Sequence, residues 1–111
     1  MIVEDHLSSL AALTDILRIW GWEVESATTV GAAVPLLENP PAVILLDLML
    51  PDGDGSEILN YMRSRNLTTP VIVTTGASDP ERLERVKSLS PMCILKKPID
   101  LDRLQECLDS L

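Results

Sequence analysis

At 111 residues the chain is the size of one domain with a single core. A hydrophobic content of 46% argues against disorder, and the absence of an 18-residue apolar run excludes a helical membrane span. Seventeen acidic against nine basic residues, a net charge of −8, speak against direct nucleic-acid binding, which needs clustered Lys and Arg.

The chain opens with a short apolar strand, Ile2-Val3, that ends in Glu4-Asp5. Leu10, Leu13, Leu17 and Trp20 then recur at helical spacing, and Gly21 stops that helix. Glu23–Ala27 alternates polar and apolar residues, as a half-exposed edge strand does. A helix over Thr28–Glu38 carries Ala33, Leu36 and Leu37 on one face and ends before Pro40-Pro41. Val43-Ile44-Leu45-Leu46 reads as a strand buried on both faces. It delivers Asp47 to a loop holding Pro51, Asp52, Gly53, Asp54 and Gly55.

A helix from Ser56 to Arg65 turns Ile58, Leu59 and Met62 inward. Val71-Ile72-Val73 follows Pro70 and runs into Thr74-Thr75-Gly76. Asp79 reads as an N-cap and Pro80 as the first helical position of a helix reaching Leu89. Met92–Leu95 is a short strand closed by Lys96-Lys97-Pro98. Asp100 caps a last helix bearing Leu101, Leu104, Leu108 and Leu111. Five strands alternating with five helices predict one α/β domain, a parallel sheet covered by helices on both faces.

Ligands on such sheets gather beyond the carboxyl ends of the strands. Those ends carry Glu4-Asp5, Asp47, Thr75 and Lys97. If the strands are neighbours, three carboxylates, a hydroxyl and an ammonium meet in one shallow pocket. Carboxylates this close repel one another, and a hard divalent cation such as Mg²⁺ relieves the repulsion through oxygen ligands. A metal, Lys97 and Thr75 around Asp47 would suit phosphoryl transfer to an aspartate nucleophile.

Glu4-Asp5, the segment DLMLPDGDG, the run PVIVTTGA from Pro70 and Lys97-Pro98 stand in the order and spacing of the receiver domain of two-component response regulators, which the whole chain resembles. The resemblance implies a flavodoxin-like, doubly wound five-stranded sheet of order 2-1-3-4-5. It implies that Asp47 is the phosphoacceptor, taking its phosphoryl group from a phosphohistidine of a sensor histidine kinase or phosphotransfer protein. Asp5, Asp47 and the backbone carbonyl of Met49 would bind Mg²⁺ directly and Glu4 through water. Thr75 would be the switch hydroxyl and Lys97 the phosphate-binding lysine, followed by a cis peptide to Pro98. Such a domain is a regulatory phosphoacceptor and not an enzyme, sits in the cytoplasm, and passes its signal to an output domain or downstream protein.

Two departures stand out. Ile94 occupies the position, three before Lys97, where many receivers carry a rotating Tyr or Phe, so the readout must differ from the usual one or be muted. Only three residues precede Glu4, which suggests a trimmed part of a longer protein. Two other functions compete. One is a receiver-fold interaction module that is never phosphorylated, against which the retained acids and lysine argue. The other is an Mg²⁺-dependent aspartyl phosphatase, which would need a second acid where Met49 stands.

Taken singly, each of these residues has an ordinary structural role, and only their coincidence at strand ends favours the chemical one. His6 is expected to open the first helix and face solvent, Lys96 to lie on the surface, and Asp52 and Asp54 to shape the loop. At least one of Trp20 and Trp22 is expected near the core. Cys93 and Cys107 lack metal-ligand spacing and are expected to be free thiols of a reducing compartment; a disulfide would depend on geometry.

Overall fold

The computed structural model describes residues 1–76 and 80–111. In chain order the elements are β1 (Ile2–Val3), α1 (Leu7–Ile19), β2 (Ser26–Ala27), α2 (Val30–Leu36), β3 (Ile44–Asp47), β4 (Met49–Leu50), β5 (Gly53–Asp54), α3 (Ser56–Ser64), β6 (Val71–Thr75), α4 (Pro80–Lys87), β7 (Cys93–Lys96) and α5 (Leu101–Asp109). Five strands form a parallel sheet of order β2-β1-β3-β6-β7. With the small β4–β5 hairpin set aside, this is the expected order 2-1-3-4-5.

Alternation along the strands divides the core in two. Val3, Ile44, Leu46, Val71 and Val73 meet Ala33 of α2, Ile58, Leu59 and Met62 of α3, and Val86 of α4. Ile2, Leu45, Ile72 and Leu95 meet Leu13 and Leu17 of α1 and Leu104 and Leu108 of α5. Three helices therefore cover one face and two the other. Both layers bury their apolar stripes against the same central strands, β3 and β6, every residue of which is buried.

The boundaries differ from the periodicity in instructive ways. The edge strand shrinks to Ser26–Ala27 because its neighbour β1 offers only Ile2 and Val3 to pair with. α2 starts after Thr29, whose hydroxyl accepts from Ala32 N at 3.0 Å and so ends the helix at its N-terminal side. α4 stops at Lys87 and does not reach Leu89; its proposed cap, Asp79, lies outside the described residues. In α5, Leu104 and Leu108 are buried, whereas Leu101 and Leu111 at the two ends of the stripe are exposed. Asp100 caps α5 by accepting from Asp102 N and Arg103 N. His6 is an exposed N-cap of α1, and both tryptophans are half-buried against the α1–α5 layer.

Candidate functional site

Parallel register brings the strand ends together. Val3 pairs with Leu46, so Glu4 and Asp47 emerge side by side from β1 and β3. Asp47 pairs with Thr74, and Thr75 with Lys96, which sets Thr75 and Lys97 on the same edge of the sheet. Glu4, Asp47 and Thr75 are buried there at 2%, 4% and 0% exposure, while Asp5 faces solvent. Lys97 follows β7, its N–H bonded to the Thr75 carbonyl at 2.9 Å, and its peptide bond to Pro98 is cis as expected.

The Lys97 ammonium reaches across the end of β6. It donates to Glu4 Oε1 and Asp47 Oδ2 at 2.9 Å each. The other oxygen of Asp47, Oδ1, accepts from Met49 N at 3.1 Å. Burial disfavours the Asp47 anion, but hydrogen bonds from Glu4, Met49 N–H and Lys97 outweigh it and hold the carboxyl below the usual aspartate range. Burial and the hydrogen bond with Asp47 push Glu4 the other way, to about 7, against the pull of Lys97. Burial also opposes the charge on Lys97, yet its bonds to Glu4 and Asp47 prevail and raise its pKa. The arrangement thus favours an ionised Asp47 beside the Lys97 ammonium, with Glu4 titrating near neutrality.

One ligand atom each from Glu4, Asp5 and Asp47 lies within 4.8 Å of the others. Oxygens on opposite sides of an octahedral Mg²⁺ are about 4 Å apart, so a small contraction would bring this set into range. The donors are all hard carboxylate oxygens, the type Mg²⁺ takes. The set fits that ion.

The loop after Asp47 is more built than its composition suggests. Met49–Leu50 and Gly53–Asp54 pair as a two-stranded antiparallel hairpin. Asp52 at its turn accepts from Val30 N at 2.8 Å and Gly31 N at 3.0 Å, capping α2; those two N–H groups hold its carboxyl below the usual range. Asp54 accepts from Ser56 N at 2.9 Å and pairs with Arg82 Nε of α4 at 3.1 Å. Gly55 closes the hairpin by donating to the Leu48 carbonyl at 2.7 Å. A Cβ on Gly55 would overlap the Asp47 carbonyl oxygen and come within 2.9 Å of Leu48 Cα. Only glycine allows this approach.

The fold gathers Glu4, Asp5, Asp47, Thr75 and Lys97 on one edge, the placement that the strand ends predict. Sequence reasoning missed the tethering roles of Asp52, Asp54 and Arg82, whose partners are remote in the chain. Met49 has an exposed side chain and meets Asp47 through its backbone. Lys96 is exposed, and Ile94 packs half-buried against the α2–α4 layer.

Residues 1–109 match the family model of the response regulator receiver domain. A cyclic di-GMP phosphodiesterase of Thermotoga maritima is 32% identical over 105 residues, 95% of this chain and 28% of that protein. The transcriptional regulatory protein KdpE of Mycobacterium tuberculosis is 33% identical over 103 residues, 92% of this chain and 45% of its own length. The chain thus spans less than half the length of these curated relatives. Among solved structures, a response regulator receiver protein from Pseudomonas putida superposes with a TM-score of 0.92 at 24% identity, covering 99% of this chain and 93% of that one. A CheY-like receiver domain protein from Methanospirillum hungatei gives 0.88 at 29% identity, covering 98% and 91%.

Proposed function

The chain belongs to the response regulator receiver domain family, and from that premise we propose that it is a phosphorylation switch whose acceptor is Asp47. The observation that carries the reading is Asp47 itself: a buried carboxylate kept ionised by Lys97 and Met49 N–H, with Glu4 and Asp5 alongside. A carboxylate oxygen attacks the phosphorus of a phosphohistidine, the P–N bond breaks as the O–P bond forms, and the imidazole leaves on the donor protein. Asp5, Asp47 and the Met49 carbonyl would hold Mg²⁺ directly and Glu4 through water, and the bound ion would supply charge neutralisation for the phosphoryl oxygens. Lys97 then moves from sharing two carboxylates to holding the new phosphoryl group, and the Thr75 hydroxyl donates to it from the next strand.

The donor is a sensor histidine kinase or phosphotransfer protein, and the domain works in the cytoplasm as a receiver unit. Its output is a changed partner-binding surface read by an output domain or downstream protein. The relatives' additional length supports the idea of such a linked partner. Because Ile94 replaces the usual aromatic, that change is transmitted without a rotating ring. The phosphatase alternative is disfavoured by Met49, which puts a thioether where a general acid would stand.

The test is direct. Incubated with Mg²⁺ and acetyl phosphate, the protein gains one phosphoryl mass, and Asp47→Asn does not. A wild-type protein that stays unmodified, or a modification that persists in Asp47→Asn, overturns the assignment.

A further inference from the structure

Cys93 and Cys107 are far from the acidic edge and play no part in the chemistry above. Cys93 opens β7, opposite Ile72 of β6. Strand alternation puts its side chain on the same face as Leu95, two residues on, which packs with Leu104 and Leu108 of α5. Cys107 lies one turn after Leu104 on α5 and next to Leu108, on the side turned to that layer. Both cysteines border the same apolar cluster, both are half-buried, and neither is in a disulfide. Both side chains border the β7–α5 seam, and the Cys93 thiol is within hydrogen-bond reach of the Cys107 thiol.

We propose that Cys93 and Cys107 form a reversible intramolecular disulfide, a redox-sensitive staple between β7 and α5. The oxidant class is a hydroperoxide. The Cys107 sulfur takes the terminal oxygen of the peroxide, whose O–O bond breaks, giving a sulfenic acid and an alcohol, or water from hydrogen peroxide. The Cys93 sulfur then displaces that oxygen: the S–S bond forms, the S–O bond breaks, and water leaves with the Cys93 proton. Two thiols lose two electrons and two protons, and one peroxide accepts them. Burial and the neighbouring Cys107 thiol raise the Cys93 pKa to about 12, so Cys93 is not the thiol that meets the peroxide first, and its proton must leave as it attacks the sulfenic acid, which makes that second step the slow one. Half-burial admits a small peroxide and shields the seam from a second protein, which favours the intramolecular product. A thiol reductant reverses the reaction, as expected of a regulatory cross-link.

The experiment treats the folded chain with hydrogen peroxide, removes the oxidant, denatures and alkylates with N-ethylmaleimide, and measures intact mass. A monomer lighter by two hydrogens, carrying no maleimide and returning to two maleimides after dithiothreitol, is the expected product. The oxidised monomer should also melt at a higher temperature than the reduced one. Cys93→Ser should stop at a Cys107 sulfenic acid that dimedone traps. A folded chain that still takes two maleimides after oxidation, a disulfide found only between chains, or a cross-link that forms only in urea overturns the proposal. Phosphorylation at Asp47 is read separately, by acetyl phosphate on the reduced protein, so either proposal can fail without the other.

Discussion

Lys97 Nζ stands 2.9 Å from both Asp47 Oδ2 and Glu4 Oε1, spanning the end of β6 to join residues from β1 and β3. One cation therefore neutralises two buried acids, and its removal strands both. Lys97→Met keeps the aliphatic stem and deletes the charge. Breaking a buried ion pair costs several kcal/mol, but the lysine is 31% exposed, so the loss should be smaller, about 2 kcal/mol above neutral pH. Urea unfolding of the metal-free protein checks this. The loss should shrink near pH 6, where Glu4 can hold a proton, and a loss independent of pH would contradict the pairing.

Glu4 would couple metal binding at this cluster to protons. Its folded pKa of about 7 lies above its ordinary 4.5, so between these values the native protein holds a proton that the unfolded chain has released. The associated stability is complete below about pH 4.5 and is lost as pH rises toward 7. A cation among these carboxylates favours the deprotonated form. Apparent Mg²⁺ affinity should therefore rise about tenfold between pH 6 and pH 8, with proton release at the lower pH. Calorimetry in buffers of differing ionisation enthalpy measures that release; affinity flat over this range would remove Glu4 from the linkage.

Asp5 contributes its oxygen from the solvent side of the cluster. At ~100 times its Kd, Mg²⁺ should stabilise the folded protein by about 2.7 kcal/mol. Asp5→Asn should abolish most of this gain while leaving the metal-free melting temperature nearly unchanged. If the variant retains the full Mg²⁺-dependent shift, the ion binds elsewhere.

Gly55 and Gly53 offer a paired comparison. At Gly55 a new Cβ meets the backbone of Asp47 and Leu48, which cannot yield without displacing the end of β3. At Gly53 the obstacle is the Glu57 carboxylate, the free end of a flexible side chain. Gly55→Ala should cost about 1–3 kcal/mol and slow phosphorylation, whereas Gly53→Ala should cost well under 1 kcal/mol. Equal effects in chemical unfolding would show that the close approach at Gly55 is not a constraint.

The strand-end residues were readable from sequence because each follows an apolar run that fixes where it emerges. Burial of β3 and β6 on both faces made those runs continuous and their ends sharp. The helix stripes were equally readable in Ile58, Leu59 and Met62, although Leu101 and Leu111 lie beyond the layer's edge and stay exposed. What escaped was contact between distant segments. Asp52 bonds to N–H groups 22 and 21 positions away, and nothing in a Pro-Asp-Gly turn announces a helix end as its partner. The two-residue strands β4 and β5 are likewise too short for any periodicity to show.

The β4–β5 hairpin works as a yoke. Through Asp52 it is harnessed to the front of α2, and through Asp54 to Arg82 on α4. Met49 N–H, at its root, grips the Asp47 carboxylate. Asp47, α2 and α4 are thus joined through one hairpin, along backbone bonds and carboxylate contacts that involve no aromatic ring.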